Sequence, residues 1–176
     1  MQWTLDATHT QVGFSVKHMA ISTVRGRFTT FDGSGETDAN GTLTSARFTI
    51  DAASIDTNQE QRDAHLRSAD FFETEKYPTI TFDSTKITQD GTDIAITGDF
   101  TMHGVTKSIT LKGETTPVVK DPWGMTRTGL TVEGKINRKD WGLAWNQALE
   151  FGGLMVSEDV KLSIELEVVA AQPAAV

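Results

Sequence analysis

His9, His18, His65 and His103 are the only histidines in the chain. None lies in a His-Glu-x-x-His run or in a close pair suited to zinc. Arg62-Asp63 with Asp70 could act as an acid–base set. The paired carboxylates of a clear glycosidase setting are absent, however, and salt bridging around a helix accounts for these residues. Serine and threonine abound, but no Gly-x-Ser-x-Gly elbow presents one as a nucleophile. There is no glycine-rich phosphate loop, and the absence of cysteine removes thiolate chemistry, disulfides and cysteine-zinc sites. The expectation is no catalytic residue, no metal and no cofactor, and so not an enzyme. The histidines are expected to hydrogen-bond at strand ends.

The 176 residues fit one domain. A net charge of −8 and a pI near 4.9 repel phosphate backbones, which argues against a nucleic-acid partner. No apolar run approaches the roughly 20 residues of a membrane helix. The N-terminus, Met1-Gln2-Trp3-Thr4-Leu5-Asp6, lacks the basic and apolar regions of a secretory signal. As written, the chain reads as cytoplasmic, with the periplasm as the alternative if a signal has been removed.

The elements that would hold any site are strands. Val160, Leu162, Ile164, Leu166 and Val168 alternate with Lys161, Ser163, Glu165 and Glu167, giving one apolar and one wet face. The same period recurs at Val12-x-Phe14-x-Val16, at Ile94, Ile96, Phe100 and Met102, and at Leu130, Val132 and Ile136. Asp32-Gly33-Ser34-Gly35, Asn40-Gly41, Asp90-Gly91 and Pro122-Trp123-Gly124 mark turns between runs. Strands are expected near 2–17, 23–36, 41–53, 78–88, 93–102, 106–118, 125–137 and 158–170. Thr57-Asn58-Gln59-Glu60 has capping-box spacing and opens a short helix over Gln61–Arg67, with Ser68–Phe72 as a possible further turn. An irregular stretch from Arg138 to Glu158 carries Trp141, Trp145 and Phe151. These tryptophans would cap a barrel mouth or pack at a subunit contact, whereas Trp3 reads as core. The domain is expected to span 1–170, with a frayed tail over 171–176.

Strands with one apolar face must turn that face inward, in a sandwich or a barrel. Long hairpin-linked runs favour an antiparallel up-and-down barrel of about eight strands, either filled with side chains or holding one small ligand. Periodicity alone does not choose between the filled and the hollow barrel.

The chain resembles the YceI family of polyisoprenoid-binding-like proteins from about His9 to Glu167. The resemblance is carried by His9 with Val12-x-Phe14-x-Val16-x-His18, Gly26-Arg27-Phe28 and Ser54-Ile55-Asp56-Thr57. It continues through Arg62-Asp63-Ala64-His65-Leu66-Arg67-Ser68-Ala69-Asp70-Phe71-Phe72 and Tyr77-Pro78-Thr79-Ile80-Thr81-Phe82. Gly98-Asp99-Phe100-Thr101-Met102-His103-Gly104-Val105-Thr106-Lys107 and Ile136-Asn137-Arg138-Lys139-Asp140-Trp141-Gly142-Leu143 complete it. The resemblance implies an all-β, lipocalin-like antiparallel barrel with a long apolar tunnel, a bound isoprenoid chain such as a polyprenyl or quinone tail, and often a homodimer. It thereby implies lipid binding, storage or transport; an enzyme acting on an isoprenoid, or a solid-barrel interaction module, would be the alternatives. Thr10, Phe100 and Trp141 depart from its common serine, leucine and phenylalanine.

Alternation then assigns the ligand-contacting set as Phe14, Val16, Phe28, Phe48, Ile50, Phe82, Ile96, Phe100, Met102, Leu130, Val132, Leu162 and Ile164. Leu43 disagrees in parity with Ala46, Phe48 and Ile50, which predicts a bulge, since a one-residue slip exchanges the two faces of a strand. His18, Arg62, Asp70 and Arg138 are candidates for a polar cluster near an opening; the alternative is that they only tie the helix to the barrel.

Overall fold

Period-2 alternation becomes a closed wall. The structure, a computed structural model describing residues 1–172, contains β1 (Gln2–Leu5), β2 (Gln11–His18), β3 (Ser22–Phe28), β4 (Phe31–Thr37), β5 (Leu43–Asp51) and β6 (Ile55–Asp56). Helix α1 (Glu60–Arg67) follows, then β7 (Thr79–Asp90), β8 (Asp93–Met102), β9 (Val105–Thr115), β10 (Val119–Lys120), β11 (Thr126–Asn137) and β12 (Asp159–Ala170). Every pairing is antiparallel, and the order β1–β4–β5–β7–β8–β9–β11–β12 returns to β1, so eight strands close a barrel. The last residues of the expected tail lie outside the described residues.

One edge of β12 is shared by two strands. Val168–Ala170 pair with β1, and Lys161–Glu165 pair with β2. β1 and β2 are thus two halves of the single strand expected over 2–17, broken by a 3-10 turn at Ala7–His9. The Asp6 side chain makes that break by accepting from Thr8 N at 3.1 Å, while Thr10 Oγ1 donates to Asp6 O at 2.8 Å. The strand expected over 23–36 is broken in the same way at Thr29–Thr30, whose amides both donate to Ser54 Oγ. The run expected over 41–53 ends at Asp51, in a 3-10 turn over Ala52–Ser54. At each break a short polar side chain, within the run at Asp6 and Asp51 or across from it at Ser54, offers the backbone a partner in place of the ladder.

The expected bulge is present. β4 and β5 pair Glu36 with Ser45 but Thr37 with Leu43, so Thr44 is the extra residue and parity flips there. The helix begins differently from its expected cap. Gln59, not Thr57, is the N-cap, accepting from the Arg62 amide through its side chain. Thr57 instead donates from N and Oγ1 to the buried carboxylate of Asp63. The helix ends at Arg67, and Ser68–Phe72 form turns rather than a further helical turn.

The core follows the inward faces: Val12, Ile80, Ile94, Ile96, Met102 and Val132 are each almost wholly buried. Trp3 is core, as expected, with Nε1 donating to Thr37 Oγ1 at 3.0 Å.

Candidate functional site

The inner wall is set by register. Phe48 faces Phe82 across β5–β7, and Phe82 faces Phe100 across β7–β8. On the opposite side Val12 faces Ile164, which faces Val132. Glycines let these rings lie along the wall rather than fill its centre. A Cβ on Gly26 would stand 2.3 Å from Phe14, and one on Gly98 would stand 2.6 Å from Phe82. Rings thus occupy the place of missing side chains, and space is left along the axis.

That space is two apolar cavities of about 420 Å³ each, within the usual range for ligand sites. They meet at Ile50, Phe100, Leu162 and Ile164, which line both. The helix-side cavity lies beneath α1 and also takes Phe14, Val16, His18, Phe28 and Met102. The strand-walled cavity takes Phe48, Phe82, Ile96, Leu130 and Val132. All thirteen residues assigned by alternation, and His18 with them, therefore line this divided interior. Leu43 also lines it, on the far side of the bulge.

The polar candidates divide. Arg62 lines the helix-side cavity, fixed by Nε donating to Thr57 Oγ1 and Nη2 donating to Thr57 O, both at 2.7 Å. Arg138 also lines it but is itself only 4% exposed. Its guanidinium donates to the carbonyls of Ser157, Leu143, Trp145 and Val156. Burial pulls its pKa below the usual guanidinium value, opposed by the charge of Glu158. Asp70 stands apart from these two. It does not line the cavity and stands half exposed, accepting from His65 Nε2 at 2.8 Å. The turn after α1 carries it to the outer side of His65, so its part is to orient that ring.

The closure of the helix side was not foreseen residue by residue. His65 stands edge-on to Trp145 and Phe71, with centroids 4.7 and 5.1 Å apart. The Arg138 guanidinium lies 5.8 Å from the Phe71 centroid. Of the two open readings for the tryptophans, Trp145 caps the cavity. Trp141 is buried behind the wall, its Nε1 donating to Phe100 O at 3.1 Å. The aromatic-rich irregular stretch 138–158 was the signal for this plug, but its partners are long-range and left no spacing to read. Among the described residues no carboxylate lines either cavity, although the chain has 24 acidic residues.

A family profile described as the YceI-like domain matches residues 3–168. The chain belongs to the YceI-like family. It is 41% identical over 161 residues to the YceI protein of an Escherichia coli strain, covering 91% of this chain and 82% of that protein. The crystal structure of the Campylobacter jejuni YceI protein superposes with a TM-score of 0.78 at 34% identity, covering 96% of this chain and 97% of the other. A polyisoprenoid binding domain from Saccharophagus degradans superposes at 0.70 with 21% identity, covering 96% and 98%; at that identity the likeness is one of fold. Within this YceI-like barrel the three departures from the common pattern have distinct places. Thr10 is buried and bonds Asp6 O and the Glu167 amide. Phe100 forms the waist between the cavities, and Trp141 backs it at a ring distance of 5.6 Å.

Proposed function

We propose that this barrel binds one long isoprenoid chain and serves as its carrier or store, acting as a binder rather than a catalyst. The observation that carries this reading is the pair of apolar cavities that share Ile50, Phe100, Leu162 and Ile164 as lining. Their combined run suits a flexible tail better than a compact ligand. Each CH₂ removed from water contributes about 0.8 kcal/mol, so burial alone can hold such a chain against the cost of ordering it. Among the described residues the lining offers no carboxylate to act as acid or base on a bound substrate. The polyisoprenoid binding domain of Saccharophagus degradans, which shares the fold, adds support.

In this reading the tail occupies the strand-walled cavity and passes the Phe100 waist. The head rests on the helix side, where His18, Arg62 and His65 supply polar contacts and the lining charges are cationic. A quinone oxygen or another electron-rich head suits these donors. The carrier is read as a homodimer, which light scattering checks.

Native mass spectrometry of the purified protein, followed by organic extraction, tests the proposal. A stoichiometric long-chain adduct is expected, and Phe100→Asp should lose it, because an unpaired carboxylate in an apolar cavity is strongly disfavoured. A clean apo mass that takes up no added polyprenyl compound would end the proposal. A folded Phe100→Asp protein that still carries the same lipid would overturn the lining assignment.

A further inference from the structure

The helix-side cavity has an apolar rim that faces solvent. The β2–β3 turn reverses at Met19 and Ala20, both non-glycine residues in the left-handed region with φ of 50° and 55°. This turn leaves Ile21 81% exposed. Beside it, the loop between β11 and β12 leaves Phe151 99% and Leu154 43% exposed. The two are joined into one surface: Met19 N donates to Met155 O at 2.8 Å, Ser157 N donates to Lys17 O at 3.0 Å, and His18 bridges Val156. From the inside, His18, Met155 and Val156 line the cavity, so this surface is the edge of its mouth.

The same hairpin is basic on its outer face. Register places Arg25, Ser15, Lys161 and Lys135 in one row across four strands, with Lys17 and Arg27 in the flanking rows. Together they line an open depression of about 1190 Å³, with five cations against Asp56, Asp159 and Glu165, in a chain of net charge −8. Lys161 and Lys135 stand directly opposite each other and are offset by Glu133 and Asp159, as Arg27 is by Asp56, which leaves Lys17 and Arg25 as the excess positive charge of the face. Among the described residues, Arg25 forms no ion pair.

We propose that this lip docks on a bilayer surface bearing anionic headgroups, with Met19, Ile21, Phe151 and Leu154 entering the interface and the basic face lying on the headgroups. An apolar edge beside a cationic face matches the layering of acyl chain and anionic headgroup. A second copy of this chain fits less well, because a two-fold contact would set one basic face against the other. Glu150, one residue from Phe151, is the opposing charge and would stay on the aqueous side. The inference rests on the isoprenoid reading for its purpose, since docking would let a tail enter without crossing water. Its test does not depend on that reading.

The experiment is flotation of the full chain with phosphatidylcholine vesicles, with and without phosphatidylglycerol. The expected result is binding only to the anionic vesicles, weakened by salt as charges beyond a Debye length of about 8–10 Å are screened. Ile21→Asp and Phe151→Asp should each weaken partition by roughly tenfold or more, given the burial lost. Arg25→Glu should weaken it and flatten the salt dependence. Circular dichroism should not change in these variants, because the three side chains face solvent. A protein that ignores anionic vesicles, or whose binding is untouched by all three substitutions, overturns the lip even if it carries lipid. A protein that carries no lipid yet floats through Ile21 and Phe151 sustains the lip while the isoprenoid reading fails. Conversion of a dimer to a monomer by Ile21→Asp, with vesicle binding intact, would assign the surface to a second copy and overturn the proposal.

Discussion

The two ends of the barrel reach the same outcome, an enclosed apolar space, by different means. At the strand-walled end the enclosure is a sheet, rimmed by the turns at Asn40 and Gly41, Gly91 and Thr92, and by Thr116, Pro117 and Val118. Phe48, Phe82, Ile96, Leu130 and Val132 arrive by alternation along strands hydrogen-bonded on both edges. At the helix side the ring comes apart. β3 has the two residues of β6 as its outer partner, and the gap is filled by α1, Phe71, Trp145 and the loop that Arg138 gathers. A sheet satisfies its backbone groups by repetition. Here one guanidinium does that work for four separate carbonyls, so the closure depends on a single side chain in a way that no strand residue matches.

The largest expected effect breaks that dependence. Arg138→Ala removes the guanidinium from the Leu143, Trp145 and Ser157 carbonyls, while Val156 O keeps Asn146 Nδ2, and should destabilise the protein by about 3–5 kcal/mol in urea unfolding, because unsatisfied buried groups carry their full desolvation cost. Arg138→Lys should recover only part of this, since an ammonium cannot reproduce the planar fork. Hydrogen exchange should localise the damage, with protection falling over 143–157 and α1 while β7–β9 hold. A uniform fall around the whole barrel would mean that the two ends do not differ in the way described.

Legibility in the sequence follows the same division. The strand-walled end was readable because period-2 alternation is a local record of which way each side chain points. Even the bulge at Thr44 was announced by the parity conflict between Leu43 and the series Ala46, Phe48 and Ile50. The breaks in the long runs were not readable. Asp6 and Ser54 divert the backbone through single side-chain contacts, and nothing in the alternation weighs those contacts against a ladder. At the helix side the residues were visible but their roles were not. Asp70 reads as a polar candidate for the opening, and in the structure it braces His65 from outside. Arg138 reads the same way, and in the structure it is buried and binds only backbone oxygens. Its partners are 5 to 19 residues away along an irregular chain, a range at which no periodic pattern exists.

A middling effect sharpens the comparison at the boundary between the ends. Phe100 lines both cavities, and Trp141 holds its backbone carbonyl from behind. Phe100→Leu should cost only about 1 kcal/mol, because the change is between large apolar side chains beside space that already exists. It should widen the waist, so that the extracted lipid shifts toward longer or bulkier chains while binding persists. An unchanged lipid profile would mean that the waist does not select chain length.

The smallest expected effect lies outside the strand-walled end, and it concerns charge rather than packing. Arg127, at the start of β11, reaches Asp121 through Nε and Asp6 and Glu167 through Nη1, each at 2.7 Å. It ties the β1–β2 break to β12 and to the β10–β11 turn. Asp6 is held well below its ordinary value of 3.8, first by the Thr8 hydroxyl and then by Arg127 and His9. Asp121 is lowered chiefly by Arg127. Lowered carboxylate values mean that this contribution is fully present above about 4 and is lost as pH falls through the folded values. Arg127→Gln should let both carboxylates rise toward their ordinary range. The stability gap between the parent and the variant should then be constant near neutrality, close as pH drops below about 4, and shrink in high salt because the groups are near the surface. Denaturant midpoints measured from pH 7 down to pH 3 would show this. A gap that persists unchanged in acid would mean that Arg127 supports the strand ends by packing its stem, with the carboxylates incidental to the closure of that end.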